Sequence, residues 1–211
     1  MKNGKTISSP PSIPPITASN GAVPAEWHYP LHVSLDTLYT GAKLRYRVTR
    51  YLLTGQTQES YVDIEVKPGW RKGTKIRFAG LGNERAPPQP PQDVIFIVDE
   101  IPHPRFRREG SNLYTTVDIS LLDALSETRH VIQGLDGKDI IVDVDFAGGL
   151  IRPGDVTRIP GKGMPIRKNS QVVGQGDLTI RWNVVFPDSL SERQRRFIRM
   201  ARDEDGDDRT S

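Results

Sequence analysis

Apolar and polar residues alternate with a period of two along several stretches of this chain. The alternating stretches are 44–48 and 62–66 in the first half of the chain and 117–120 and 140–145 in the second half. In the first of them, Leu44, Tyr46 and Val48 alternate with Arg45 and Arg47. A period of two is typical of strands that bury one face, so the pattern predicts a mainly β protein.

Three blocks recur in the same order and at nearly constant spacing. The pairs of blocks are 33–38 with 119–124, 77–82 with 158–163, and 93–97 with 177–181. An internal repeat of this kind predicts two similar domains in tandem, each a small β-sandwich. Pro102 and Pro104 stand between the two sets and resist a central strand, so the predicted domains are 27–102 and 103–187.

The two ends of the chain differ from the repeats. Residues 1–26 are rich in proline and serine, and residues 203–211 are mostly charged or polar. We predict that both ends are disordered, the first as an extended linker and the second as an acidic tail.

A short C-terminal helix is predicted at 188–202. Ser191 followed by Gln194 is a capping-box pattern, which marks the start of a helix. Leu190, Phe197 and Met200 share one face of that helix. This apolar face either packs on its own domain or forms a homodimer contact.

Composition excludes several classes of protein. The 211 residues include no cysteine, so disulfides and cysteine-ligated zinc are impossible. No apolar run approaches the length of a membrane-spanning helix, and we expect a cytoplasmic protein without a membrane partner. The 29 basic and 26 acidic residues are interspersed and leave a net charge of +3, which does not favour nucleic-acid binding.

We find no catalytic, metal or cofactor site in the sequence. The four histidines are scattered, and no two of them have ligand spacing on one predicted element. The glycine pairs Gly80/Gly82 and Gly161/Gly163 lack the spacing of a phosphate loop, and a tight turn explains them better. We therefore predict that the chain is not an enzyme.

The strand at 44–48 is the best candidate for a binding surface. Its apolar face is rimmed by Lys43, Arg45, Arg47 and Arg50. A sheet edge of this composition suits an extended peptide, whose backbone pairs with the strand while its side chains enter apolar pockets. Core packing of the same side chains is the alternative, and periodicity by itself favours it.

Several short motifs resemble one known family. They are Val33-Ser34-Leu35 with Leu38-Tyr39 and Gly41, Lys67-Pro68-Gly69-Trp70 with Gly73-Thr74-Lys75-Ile76, His103-Pro104 with Phe106, Arg108 and Gly110, Leu135-Asp136-Gly137-Lys138, and Pro160-Gly161-Lys162-Gly163-Met164-Pro165. From about Leu31 to Met200 the chain resembles the C-terminal region of DnaJ-type co-chaperones, in the class without a zinc finger.

The resemblance implies two β-sandwich substrate domains followed by a dimerising helix. It implies a groove for unfolded polypeptide lined by Leu31, Tyr46, Val48 and Phe96, together with Tyr29. It also implies that Lys43, Arg45 and Arg47 contact the acidic C-terminal tail of the seventy-kilodalton heat-shock chaperone. In the dimerising helix, Leu190, Phe197 and Met200 would form the contact.

Two departures from the family pattern bear on the partner chaperone. His103-Pro104-Arg105 is not the His-Pro-Asp signature of a J domain, so this chain alone should not stimulate ATP hydrolysis. Leu44 and Ile101 stand where relatives that dock the tail commonly have lysine, which predicts weaker tail binding.

We therefore expect a co-chaperone region that binds unfolded chains and assists folding with the larger chaperone. A scaffolding module that binds one folded partner is the alternative, and a basic nucleic-acid-binding protein is the third reading.

Overall fold

A computed structural model gives the fold of this chain. It describes residues 11–13, 24–126, 129–144 and 150–204. The chain separates into two compact units. The first unit contains the described residues up to Thr115 together with 133–140 and 158–179, and the second contains those of 116–132, 141–157 and 180–204. The predicted boundary at residue 102 remains a prediction.

The chain is mainly β, as predicted. Its elements up to residue 109 are β1 (Ser12–Ile13), β2 (Glu26–Val33), α1 (Leu35–Thr40), β3 (Ala42–Tyr51), β4 (Thr57–Val66), β5 (Lys75–Phe78), β6 (Asp93–Glu100) and β7 (Arg107–Glu109). The later elements are β8 (Asn112–Ser120), α2 (Leu121–Ser126), β9 (Arg129–Gln133), β10 (Asp139–Asp143), β11 (Val156–Ile159), β12 (Pro165–Lys168), β13 (Gln171–Gln175), β14 (Leu178–Val185) and α3 (Glu192–Glu204).

Two three-stranded sheets in the first unit hold the residues of the candidate site. Their strand orders are β1-β3-β4 and β2-β6-β5. Strands β3 and β4 pair antiparallel over ten residues each, whereas β2 and β6 pair parallel. On β3 and β4 the buried side chains alternate with exposed or half-buried ones, which confirms the period-two prediction for Tyr46, Val48, Val62 and Ile64.

The remaining strands form three small sheets. Their strand orders are β11-β14-β8-β7, β10-β9 and β12-β13. The turn between β9 and β10 has Gly137 at a φ of 74°, and the amide of Gly134 donates to the carbonyl of Lys138 at 2.8 Å. This is the hairpin that the Asp-Gly pair predicts, because only glycine adopts a positive φ at little cost.

Each repeat contains a short helix that the strand pattern does not reveal. The Ser34 hydroxyl accepts a hydrogen bond from the amide of Thr37 at 3.2 Å and caps α1. In the second repeat, the Ser120 hydroxyl accepts from the amide of Asp123 at 3.1 Å at the start of α2. Both serines are the second residue of the first repeated block, so the block encodes a helix cap as well as the end of a strand.

A carboxylate that accepts hydrogen bonds from an arginine and a glycine amide is also present in both repeats. The Asp93 carboxylate accepts hydrogen bonds from Arg77 Nε at 2.7 Å and from the Gly80 amide at 2.8 Å. The Asp177 carboxylate accepts from Arg158 Nε at 2.7 Å and from the Gly161 amide at 3.1 Å. The amides of Gly82 and Gly163 donate to the carbonyls of Gln92 and Gly176, each at 2.7 Å. The four glycine amides that a phosphate loop would offer to a ligand are therefore bonded within the chain itself.

These contacts also change the acidity of both aspartates. The backbone amide of Gly80 and the Arg77 side chain lower the pKa of Asp93. The Arg158 guanidinium, followed by the Gly161 amide, lowers the pKa of Asp177. Both carboxylates therefore stay ionised in this fold below the pH at which a free aspartate is protonated.

The structure corrects the predictions for the two ends of the chain. Disorder is wrong for Ser12–Ile13, which form a strand, and for Glu26, which begins β2. The rest of 1–10 and 14–23, and the tail from 205 onwards, lie outside the described residues. The C-terminal helix occupies Glu192–Glu204 rather than 188–202, so Asp203 belongs to the helix and not to the acidic tail.

The predicted capping box is present at the start of α3. The Ser191 amide donates to Gln194 Oε1 at 2.8 Å, and the Gln194 amide donates to the Ser191 hydroxyl at 3.2 Å. This reciprocal pair satisfies two N–H groups that the first turn of a helix leaves free.

Candidate functional site

The edge of strand β3 carries the features expected of the candidate site. Strand β4 lies on one side of β3, and only the two residues of β1 lie on the other. Strand β1 runs parallel to β3, with Ser12 opposite Arg47 and Ile13 opposite Val48. The Arg47 amide donates to the carbonyl of Pro11 at 3.1 Å. This edge therefore pairs with an extended segment through its backbone.

An aromatic cluster lies behind this edge and joins the two sheets. The ring of Phe96 on β6 is 5.6 Å from the ring of Tyr46 on β3, 5.8 Å from Tyr29 on β2 and 5.6 Å from Phe78 on β5, measured between centroids. Burial raises the pKa of the Tyr46 hydroxyl, and the nearby Tyr29 adds to this effect. The cluster is therefore an uncharged aromatic surface in which Tyr46 and Phe96 are buried and Tyr29 and Phe78 are half-buried.

The structure brings together most of the side chains predicted to line the groove. Leu31, Val48 and Phe96 are fully buried, Tyr46 is 8% exposed, and Tyr29 is half-buried. Leu31 lies on the same face of β2 as Tyr29, two residues further along the strand. As lining of a peptide groove, these residues remain a prediction.

Ile13 accounts for part of that burial. Because it is opposite Val48 in a paired strand, its side chain lies on the same face of the sheet as Val48 and Tyr46. Ile13 is itself completely buried, while Pro11 and Ser12 are exposed. A single aliphatic side chain of the two-residue strand β1 thus contributes to the site.

The opposite face of β3 carries the basic side chains. Arg45 Nε lies 3.6 Å from the Asp63 carboxylate, and Arg47 Nη1 lies 3.4 Å from the Glu59 carboxylate. Lys43 is exposed on the same face. Exposed ion pairs contribute about 0–1 kcal/mol, so an incoming acidic peptide can replace Asp63 and Glu59 at small cost.

The two positions at which relatives commonly carry lysine are apolar here. Leu44 is half-buried on the face of β3 that carries Tyr46, and Ile101 is 45% exposed just after β6. Neither can donate a charged hydrogen bond to a carboxylate, so the expectation of weaker tail binding stands.

Of the predicted dimer residues, Phe197 and Met200 lie on helix α3 and Leu190 lies just before it. Phe197 is 56% exposed, Met200 is 50% exposed and Leu190 is half-buried. Ile198 is 52% exposed and widens the apolar surface. The described side chains of α3, from 192 to 200, are all exposed, so the helix does not bury this face within its own unit.

Three of the four histidines form hydrogen bonds or ion pairs with neighbouring groups of the fold. His103 Nδ1 accepts hydrogen bonds from the amides of Arg105 and Phe106, each at 3.1 Å, and so fixes the proline-rich turn. His28 and His32 pair with Glu26 and Asp99. Within the described ranges, no group of three or more His, Asp or Glu side chains could hold a metal ion. In the same part of the chain, no helix is long and apolar enough to cross a membrane.

Most of this chain matches a known protein family. Residues 27–187 match the family described as the DnaJ C terminal domain. This chain belongs to that family. The match runs from the second residue of β2 through β14, and it therefore includes the aromatic cluster and the basic face but not Ile13.

Curated DnaJ-family relatives align over a similar part of the chain. Protein psi1 of Schizosaccharomyces pombe is 37% identical over 170 residues, which cover 79% of this chain and 43% of the relative. The human DnaJ homolog subfamily B member 5 is 34% identical over 174 residues, with coverage of 80% and 48%. Protein SIS1 of Saccharomyces cerevisiae is 31% identical over 168 residues, with coverage of 80% and 46%. The chain spans about half the length of the curated relatives it matches.

Two residues of the site were missed by sequence reasoning. Phe78 completes the aromatic cluster, and its signal was the alternation of Ile76 and Phe78 with Arg77. Ile13 was assigned to a disordered linker because prolines surround it. Its signal was an isolated aliphatic residue within Pro-Pro-Ser-Ile-Pro-Pro, since prolines favour the extended backbone that can join a sheet edge.

Proposed function

We propose that this chain binds extended segments of non-native polypeptide at the β3 edge and has no catalytic activity. The bound segment pairs with the backbone of β3 and places apolar side chains over Tyr46, Val48 and Phe96. In the cytoplasm, the chain would hold such segments for the seventy-kilodalton heat-shock chaperone and so assist folding.

One observation carries the proposal. In this structure an extended segment already pairs with β3, through the Arg47 amide, and places an aliphatic side chain beside Val48. Backbone pairing makes little demand on the ligand's sequence, as a protein that meets many unfolded chains requires.

The basic face of β3 supports a second contact, with the acidic tail of the larger chaperone. Lys43, Arg45 and Arg47 point away from the aromatic cluster. Arg45 and Arg47 form exposed ion pairs, and the Arg45 guanidinium also lies 5.1 Å from the centre of the Tyr61 ring. The tail would bind through charge and the client through the strand edge, so different parts of Arg47 serve the two ligands.

Variants of Arg47 separate these two contacts. Arg47→Pro removes the amide that faces the edge, and since that amide bonds to Pro11 and not to β4, the β3–β4 ladder is retained. Arg47→Ala keeps the amide and removes the guanidinium. Both variants are made together with Ile13→Asp, so that the chain's own segment does not occupy the edge.

We expect Arg47→Pro to weaken the binding of permanently unfolded, carboxymethylated lactalbumin about tenfold, because one hydrogen bond is lost and a carbonyl is left unpaired. Arg47→Ala should change this affinity less than about twofold. It should instead weaken the binding of a synthetic peptide that copies the chaperone's acidic tail, and this binding should depend less on salt concentration. Fluorescence anisotropy measures both affinities, and equal client binding by the two variants would refute the edge as the site.

We further propose that α3 forms a homodimer through its apolar face. Phe197→Ser should convert the dimer into a monomer in sedimentation velocity, because large exposed aromatic side chains dominate such contacts. The matched control is Arg199→Ser, which makes the same replacement on the opposite face of the helix and should leave the dimer intact. A wild-type chain that sediments as a monomer at all accessible concentrations would exclude the dimer.

A further inference from the structure

The segment Pro11–Ile13 resembles a bound ligand more than a strand of the fold. It pairs with β3 over two residues, whereas β4 pairs with β3 over ten. Of its three residues only Ile13 is buried. Strand β3 therefore has a full ladder without β1, and loss of β1 would free one edge without removing the sheet.

The sequence around Ile13 limits how firmly the segment can attach. Pro10, Pro11, Pro14 and Pro15 flank Ser12-Ile13 and have no amide hydrogen, so they cannot donate hydrogen bonds to β3. Only the carbonyls of these prolines can take part in backbone pairing, as that of Pro11 does, and the one buried aliphatic side chain supplies most of the attraction. Against this stands the conformational entropy lost when the segment is ordered. Attachment of this strength is reversible.

We propose that Pro11–Ile13 is an intramolecular ligand that competes with incoming polypeptide for the β3 edge, and that the edge selects extended segments, parallel to β3, with an aliphatic side chain at the position of Ile13. This inference rests on the proposed function, because client and segment are taken to occupy the same edge. The segment lowers the apparent affinity for clients by the fraction of time that it is docked.

The surroundings of Ile13 explain the choice of side chain. The position lies beside Val48 and on the same face as Tyr46, and it is completely closed to water. A charged side chain placed there would lose its hydration without gaining a partner. A proline two residues before the aliphatic residue is accepted, since Pro11 contributes its carbonyl, and not an amide, to the bond with the Arg47 amide.

The test uses the full chain and a labelled synthetic peptide, Pro-Pro-Ser-Ile-Pro-Pro, that copies residues 10–15. Ile13→Asp should release the segment, and Ile13→Val should keep it docked. The matched control is Val173→Asp, which makes the same kind of change at a residue of β13 that is 60% exposed. Circular dichroism melts establish that each variant is folded.

If the segment is docked in about nine molecules of ten, Ile13→Asp should bind the peptide about tenfold more tightly than wild type does. Ile13→Val and Val173→Asp should bind it as wild type does. A peptide with aspartate in place of isoleucine should not bind any of the chains. Hydrogen exchange gives a second readout, since the Arg47 amide should exchange faster in Ile13→Asp than in wild type.

The outcomes distinguish this inference from the proposed function. Equal peptide affinity for wild type and Ile13→Asp, or no binding to either, would overturn the inference, even if both bind carboxymethylated lactalbumin. Tighter peptide binding by Ile13→Asp, with no lactalbumin binding by any chain, would support an intramolecular ligand but overturn the proposed function and, with it, competition with clients.

Discussion

Phe96→Ala is expected to lower the free energy of unfolding by about 3–5 kcal/mol, the range for removing a fully buried aromatic side chain. Phe96 is completely buried and contacts the rings of Tyr29, Tyr46 and Phe78. Its removal opens a cavity where the two sheets meet, and rigid strands cannot close that cavity fully. Urea unfolding followed by circular dichroism measures the change.

Phe96→Leu is the matched control for this prediction. Leucine keeps most of the volume but not the ring contacts, so we expect a loss of only about 1–1.5 kcal/mol. A loss below about 1 kcal/mol for Phe96→Ala would mean that the ring is dispensable for the fold and serves only the groove. The result also matters for binding assays, because an unfolded Phe96→Ala chain would fail to bind clients whatever the role of the ring.

Gly69→Ala is expected to cost about 2–5 kcal/mol, from two separate causes. Gly69 has a φ of 83°, which an L-residue with a Cβ adopts only with strain. A Cβ at this position would also lie 2.5 Å from the carbonyl oxygen of Pro165 and 3.0 Å from Arg167 Cγ. The carbonyl belongs to the backbone and cannot move aside as a flexible side chain would.

Gly73→Ala separates the two causes. Gly73 has a φ of 86°, but a Cβ there would meet no atom within 4 Å. It should therefore show only the backbone strain, about 1–2 kcal/mol. Thermal unfolding measures both changes. Equal decreases in melting temperature for Gly69→Ala and Gly73→Ala would show that the Pro165 carbonyl moves aside and that packing at Gly69 is not tight.

Intramolecular occupancy of the edge would also limit exposure of the site. A free strand edge beside an aromatic cluster is a surface on which sheets aggregate. In this structure Ile13 covers part of that surface, beside Val48. Release of the segment by a client would then expose the edge only while the client occupies it.

Local patterns predicted the regular elements well where they are long. The alternation around Tyr46 and Val48 predicted β3, and the reciprocal pair of Ser191 and Gln194 predicted the start of α3. The helices α1 and α2 were missed because each has only six residues, which is less than two turns. Their serine caps were visible in the sequence but lay within a pattern that also fits a strand end.

The sequence by itself determined the β class, the repeat, the absence of cysteine chemistry and, through its motifs, the family. These properties depend on the order of residue types along the chain, which is complete in the sequence. Only the tertiary structure decided that Phe96 meets Tyr46 and that Ile13 lies beside Val48. Such contacts join residues far apart in the chain, and they depend on which sheet edge is left open once the other strands have paired. A proline-rich segment has no apolar periodicity that could identify the strand with which it pairs. The pairing of Ile13 with β3 therefore follows only from the tertiary structure, in which one edge of β3 is open.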